Sequence, residues 1–208
     1  MLKKIAVFVS GGGSNLQSLI DSVDSGHIKG AVIEVVFSDR ESAYGLERAR
    51  RHSIAALHLS PAGFFDREAF DRKIADEMNL LGVSLVCLAG YMRILTKAFI
   101  DTFKGVIMNI HPALLPKYGG AGMYGRHVHE AVIAAGESES GCTVHFVDYG
   151  TDTGPVILQK SVPVEEGDTP ESLAKKVLAL EHEAYPEAVK LWAEERIKTE
   201  GSKVIITE

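Results

Sequence analysis

At 208 residues and 46% hydrophobic content, the chain is long enough to bury one large core or two small ones. Its formal charge of −6, from 28 acidic and 22 basic residues with no Lys/Arg cluster longer than a pair, argues against a binder of nucleic-acid backbones. IAVFV near the N-terminus is too short for a signal-peptide core, no segment approaches the length of a membrane span, and Cys87 and Cys142 stand singly without metal or redox spacing, so a cytoplasmic protein is expected.

In chain order, KIAVFV (4–9) predicts a strand, SGGGSN (10–15) a turn and LQSLIDSV (16–23) a helix. The alternation continues with a strand at 31–38, a helix at 45–52, a strand at 55–59, a long amphipathic helix at 66–81, a strand at 83–90, a helix at 96–103 and a fifth strand at 105–110. Strands that alternate with helices and are apolar on both faces predict an α/β protein, with a mostly parallel twisted sheet covered by helices on both faces. Residues 141–150 and 154–164 then read as an antiparallel hairpin extending the sheet. A long helix is predicted from about 169 to 193, capped by Thr169 with Pro170 in its first turn, and KVIIT (203–207) predicts a short final strand. One continuous sheet is expected.

Four places carry residues suited to chemistry. SGGGSN sits between the first strand and helix, where glycines let the backbone close around an anion and a helix N-terminus favours phosphate. Gly11 and Gly13 fit a dinucleotide fingerprint, but its third glycine is replaced by Leu16 and a Walker lysine is absent. The loop therefore reads as a site for a single phosphate at Gly12, Gly13, Ser14 and Asn15, with a structural turn as the alternative. In NIHP, Asn109 and His111 stand two apart on a strand and share a face at its carboxyl end, where Pro112 forces the chain out. An amide N–H beside an imidazole can hold a carbonyl oxygen and move a proton, although a histidine bonded to the backbone fits the same spacing.

Asp152, in the turn YGTDTGP (149–155), either orients the ring of His111 or is a plain turn aspartate, and only proximity separates the two. On the long helix, Leu173, Val177, Leu180, Ala184, Tyr185, Ala188, Leu191 and Trp192 share one face, and Glu181 falls within it. A carboxylate there needs donors, which ribose hydroxyls or a buried backbone N–H or arginine would supply equally well. His127 and His129 lie on different faces of a predicted helix, which does not suit shared metal ligation, and no metal is expected. Without a G-x-S-x-G elbow or an activated cysteine, a covalent acyl-enzyme is not expected either.

In order, and across nearly the whole chain, SGGGSNLQSLI (10–20), FSDR (37–40), GLERAR (45–50), LAGYMRIL (88–95), NIHPALLPKY (109–118), TVHFVDYGTDTGPVILQ (143–159) and LEHEAYP (180–186) resemble the phosphoribosylglycinamide formyltransferases, folate-dependent enzymes of purine synthesis. The resemblance implies a single domain over 1–208 with a Rossmann-like formyltransferase fold, a nucleotide-binding half at 1–110, and a second half at 111–208 holding the catalytic loop, an antiparallel hairpin and the long helix. It implies transfer of a formyl group from the co-substrate 10-formyltetrahydrofolate to the amine of glycinamide ribonucleotide, with no metal. Asn109, His111 and Asp152 match the family's catalytic trio, Gly13, Ser14 and Asn15 its phosphate loop, and Glu181 its ribonucleotide carboxylate. Arg67, Met92, Arg93, Ile94 and Leu95 match folate-pocket positions, and Val147, Asp148, Thr151, Asp152 and Asn109 are expected to line the same pocket. The implied partners are small molecules, without nucleic acid or membrane, in a monomer or homodimer.

One segment departs from the family pattern. Where many members have G-x-H-T-H, this chain has GRHVH (125–129) behind GGAGMY, so Val128 replaces a hydroxyl and the roles of His127, His129 and the loop 119–129 stay open. Methionyl-tRNA formyltransferase and formyltetrahydrofolate hydrolase share the Asn-His-Asp arrangement. The former is expected to add a tRNA-binding domain and the latter an N-terminal regulatory domain, and an acidic chain that starts at the first strand and ends soon after the long helix is expected to fit neither well. A dinucleotide-binding oxidoreductase domain using Asp39 and a non-catalytic nucleotide-binding module are the readings from other classes.

Overall fold

The computed structural model describes residues 2–201 and 203–207. Among the described residues, one sheet has seven strands, in the order β3 (55–58), β2 (31–38), β1 (3–9), β4 (85–88), β5 (106–111), β6 (139–146) and β7 (156–163), and a separate sheet has two. The chain clusters into two compact units, one up to Met108 and one from Asn109.

In the first unit, β1 (Lys3–Val9) pairs in parallel with β2 (Ala31–Ser38) and β4 (Leu85–Leu88), and β2 pairs in parallel with β3 (Ala55–His58). The connections run through α1 (Ser14–Asp24), α2 (Tyr44–Arg51), a short turn of 3-10 helix (Pro61–Gly63) and α3 (Arg67–Leu80), with α4 (Lys97–Thr102) after β4. Val7 and Phe8 are fully buried despite being neighbours on β1, as expected for a strand covered on both faces. The Phe8 ring lies 4.8 Å from that of Phe37 and meets Tyr91 and Phe99 edge-on at 5.4 and 5.8 Å, an aromatic core beneath the carboxyl ends of β1 and β2. Asp66 starts α3 by accepting from Ala69 N–H at 2.7 Å.

β5 (Val106–His111) spans the division between the units, so Asn109, Ile110 and His111 open the second one. α5 (Arg126–Ala134) follows, then β6 (Glu139–Phe146) and β7 (Val156–Pro163), which form an antiparallel hairpin. Thr169 caps α6 (Pro170–Ala193) reciprocally, its hydroxyl accepting from Ser172 N–H while the Ser172 hydroxyl accepts from Thr169 N–H. Leu173, Val177, Ala184, Tyr185, Ala188 and Leu191 are buried on this helix as its periodicity predicts, whereas Leu180 and Trp192 are half-buried. The predicted strand at 203–207 is present as β9 (Lys203–Ile206), paired antiparallel with β8 (Ile197–Glu200).

A buried hydroxyl organises the exit from β5. Thr143 Oγ1 donates to Ala113 O at 2.6 Å and accepts from Leu115 N–H at 3.1 Å and from Gln159 Nε2 at 2.8 Å. Gln159 Nε2 also donates to Leu115 O at 3.0 Å, so the turn after His111 is tied to both hairpin strands by hydrogen bonds.

Candidate active site

Most of the residues singled out above fall into two clusters. In the first unit, β1 gives way after Val9 to a loop that ends at Gly13, the N-cap of α1. Gly13 has a left-handed φ of 71°, and a Cβ there would lie 3.0 Å from Gly45 Cα, so both backbone conformation and close approach require glycine. The loop is braced from α2. Gly45 N–H donates to Gly11 O at 3.0 Å, and Arg48 Nε donates to Gly12 O at 2.8 Å. Gly12 is exposed, Gly13 and Ser14 are half-buried and Asn15 is buried at the positive end of the α1 dipole.

Ser10 begins this loop, and its hydroxyl donates to Asp39 Oδ1 at 2.6 Å while accepting from Met92 N–H at 2.9 Å. Asp39, the acid that a dinucleotide site would aim at a ribose, is therefore engaged by the protein itself. Met92 and Ile94 are exposed, Arg93 stacks 4.9 Å from the Phe70 ring centroid, and Leu95 is buried. Arg67 Nη2 donates to Ile94 O at 2.9 Å, which brings all five first-unit residues of the expected folate pocket into one neighbourhood. Beside them, burial pushes the Tyr91 phenol well above its usual range, with the carboxylates of Asp39 and Asp71 adding to the shift.

The second cluster is centred on Asp152. Its Oδ2 accepts from Gly120 N–H at 2.9 Å and lies 3.5 Å from His111 Nδ1, while its Oδ1 lies 3.5 Å from Asn109 Nδ2 and 3.7 Å from His145 Nε2. The proximity on which the reading of Asp152 depended is present. A carboxylate on one side of the Asn109 amide makes Nδ2 the atom that faces it. The same Nδ2 donates to His145 Nε2 at 3.1 Å, and His145 Nδ1 donates to Phe146 O at 2.8 Å, which fixes the tautomer of a neutral ring. Burial, followed by smaller effects of neighbouring groups, holds the His145 pKa below its usual value. His111 Nε2 donates to Tyr118 O at 2.7 Å, leaving Nδ1 as the nitrogen turned toward Asp152.

Backbone geometry builds this turn. Asp152 has a left-handed φ of 59°, a region that Asp and Asn occupy more readily than most residues. At Gly154 a Cβ would come within 1.9 Å of Phe146 O, so the turn closes onto β6 only with glycine there. Asp148 Oδ1 accepts from Gly150 N–H at 3.0 Å and from Thr153 Oγ1 at 2.7 Å, bracing the loop that also carries Val147 and Thr151. Glu181 is buried on α6, and its charge reinforces the effect of burial on Cys142, whose thiol is pushed up to about 12. That thiol is no nucleophile at neutral pH.

The family profile described as formyl transferase matches residues 3–189. The chain belongs to the formyl transferase family. Among the family's characterised members, it is 44% identical over 194 residues to the phosphoribosylglycinamide formyltransferase of Escherichia coli K12, covering 93% of this chain and 89% of that one. It is also 44% identical to part of the trifunctional purine biosynthetic protein adenosine-3 of Chironomus tentans, covering 92% of this chain but only 14% of that much longer protein. Its structure is similar to that of glycinamide ribonucleotide transformylase 1 from Symbiobacterium toebii, with a TM-score of 0.94, 46% identity, and coverage of 100% of this chain and 95% of that one.

His145, Tyr118 and Gly120 also touch the trio, and none of them stands out as a site residue from sequence. A signal for His145 exists: Thr143 and His145 are polar residues two apart in the buried stretch of β6, which places both on one face. The two histidines of GRHVH separate as helical geometry predicts. His127 is exposed, whereas His129 is buried with Nδ1 unpartnered among the described residues, and burial followed by the charge of His111 lowers its pKa.

Proposed function

We propose that the protein is a cytoplasmic phosphoribosylglycinamide formyltransferase, moving the formyl group of 10-formyltetrahydrofolate to the amine of glycinamide ribonucleotide in purine synthesis. The observation that carries the chemistry is the Asp152 carboxylate, which engages both Asn109 and His111 at the exit of β5. The Gly12–Asn15 loop binds the ribonucleotide phosphate, Glu181 accepts from its ribose hydroxyls, and Arg67 with Met92–Leu95 and the Val147–Asp152 turn hold the folate.

In this reading, the amine attacks the formyl carbon, a C–N bond forms to the glycinamide and the bond to the folate nitrogen breaks. Asn109 Nδ2 donates to the oxyanion of the tetrahedral intermediate, in place of its long 3.5 Å contact to Asp152. His111 takes the proton of the attacking amine at Nδ1 and delivers it to the departing folate nitrogen. Asp152 steadies the ring while it carries the extra proton. The 3.5 Å separation of Nδ1 and Oδ2 exceeds a normal hydrogen bond, consistent with a site that tightens when substrates bind.

The test is an absorbance assay of the formyl-folate donor with and without glycinamide ribonucleotide. Deformylation that requires the ribonucleotide is expected. Donor breakdown without it would instead identify a hydrolase, and no turnover in either arm would leave a nucleotide-binding module.

A further inference from the structure

The guanidinium of Arg48 has no part in the proposed reaction, yet it is bonded to the glycine loop. Besides donating through Nε to Gly12 O at 2.8 Å, it donates through Nη1 to Gln17 Oε1 at 2.9 Å, spanning from the loop to the second turn of α1. Its carbon centre lies 5.0 Å from the ring centroid of Tyr44, whose hydroxyl accepts from Arg51 Nη1 at 2.9 Å. The fork is thus held by a ring on its own helix, with one arm on the loop and the other on α1.

A trans peptide directs its C=O and the following N–H in opposite directions. Gly11 O is drawn to Gly45 N–H, Gly12 O to Arg48 Nε and Gly13 O to Gln17 N–H at 3.0 Å. The N–H groups of Gly12, Gly13 and Ser14 are consequently turned away from α2 and the body of α1. Two of the three carbonyls are held by backbone N–H groups that any sequence would supply. The middle one depends on a side chain, at a glycine whose soft backbone would otherwise let that peptide rotate.

We infer that Arg48 is a positioning residue for the phosphate loop: by holding Gly12 O it keeps the Gly13 N–H aimed at the substrate's phosphate, without itself touching the phosphate. This rests on the assignment of Gly12–Asn15 to phosphate. The residue would then act on the affinity for one substituent of one substrate and leave the transfer step alone.

The experiment measures kcat/KM for glycinamide ribonucleotide and for the riboside lacking its phosphate, in the wild type, Arg48→Met and Arg48→Lys. The preference of the wild type for the phosphorylated substrate should fall about tenfold in Arg48→Met, equivalent to ~1.4 kcal/mol. The loss should appear in KM for the ribonucleotide, while kcat/KM for the riboside stays within about twofold, a split that general destabilisation would not produce. Arg48→Lys keeps the charge but lacks the fork, so it should lose most of the preference as well; full rescue by lysine would replace positioning with a simple charge effect and overturn the inference. An undiminished preference in Arg48→Met would also overturn it. A wild type with no preference for the phosphorylated substrate would instead overturn the loop assignment itself.

Discussion

Asn109 gives both amide hydrogens to protein acceptors, His145 Nε2 at 3.1 Å and Asp152 Oδ1 at 3.5 Å, and the two bonds are unequal. The shorter one fixes the plane of the amide, and the longer one is easily exchanged for a substrate oxygen. Asn109→Ala should therefore lower kcat by about 10²–10³ with little change in ribonucleotide affinity, as steady-state kinetics and calorimetry can determine. An unchanged kcat would remove Asn109 from the chemistry. At Asp152 the informative substitution is Asn, which tolerates the left-handed φ of 59°, whereas Ala would mix backbone strain with loss of the carboxylate. Asp152→Asn should cut kcat strongly at nearly constant substrate affinity, and a pure KM effect would recast Asp152 as a binding residue.

At the scale of elements, α6 starts with a reciprocal cap buttressed by Asp168, whose carboxylate accepts from Lys176 Nζ at 2.8 Å. The ammonium first, then the Ser172 hydroxyl, hold the Asp168 pKa down to about 2. Thr169→Ala removes the acceptor for Ser172 N–H and should cost about 1 kcal/mol, measurable by denaturant unfolding. This helix was legible in the sequence because Thr-Pro-Glu announces its start and apolar residues recur along one face. The β1 and β4 strands were legible from runs that are apolar on both faces. β8 was not: Ile197–Glu200 (IKTE) is mostly exposed and, among the described residues, pairs with β9 alone, so neither alternation nor burial marks it. Within the candidate site, the shared face of Asn109 and His111 followed from strand geometry. The approach of Asp152, 43 residues along from Asn109, depended on how the hairpin folds back, which local pattern does not encode.

At the scale of the whole molecule, His129, His145 and His182 all have pKa values lowered chiefly by burial. Each binds a proton less readily when folded than when unfolded, so the unfolded chain takes up more protons as pH falls through the ordinary histidine value of 6.5. Stability should accordingly be retained above that pH and decline below it, which thermal melts at stepped pH would record. Replacing His129 by Gln should flatten part of the slope, and a melt series independent of pH between about 5 and 7 would contradict the sign derived from these three rings.

The hydroxyl of Thr143 has a kinetic consequence for the turn behind His111. Leu115 lies outside any helix or strand, and a residue in such a turn ordinarily exchanges its amide hydrogen with solvent quickly. Here the Leu115 N–H is held by a fully buried oxygen that itself has three hydrogen-bond partners, and its carbonyl is held by Gln159. Releasing that amide requires loosening β6 and β7 as well. In deuterium-exchange experiments, Leu115 should therefore exchange with the slow hairpin amides, and Thr143→Val should bring it forward to the rate of an unprotected turn.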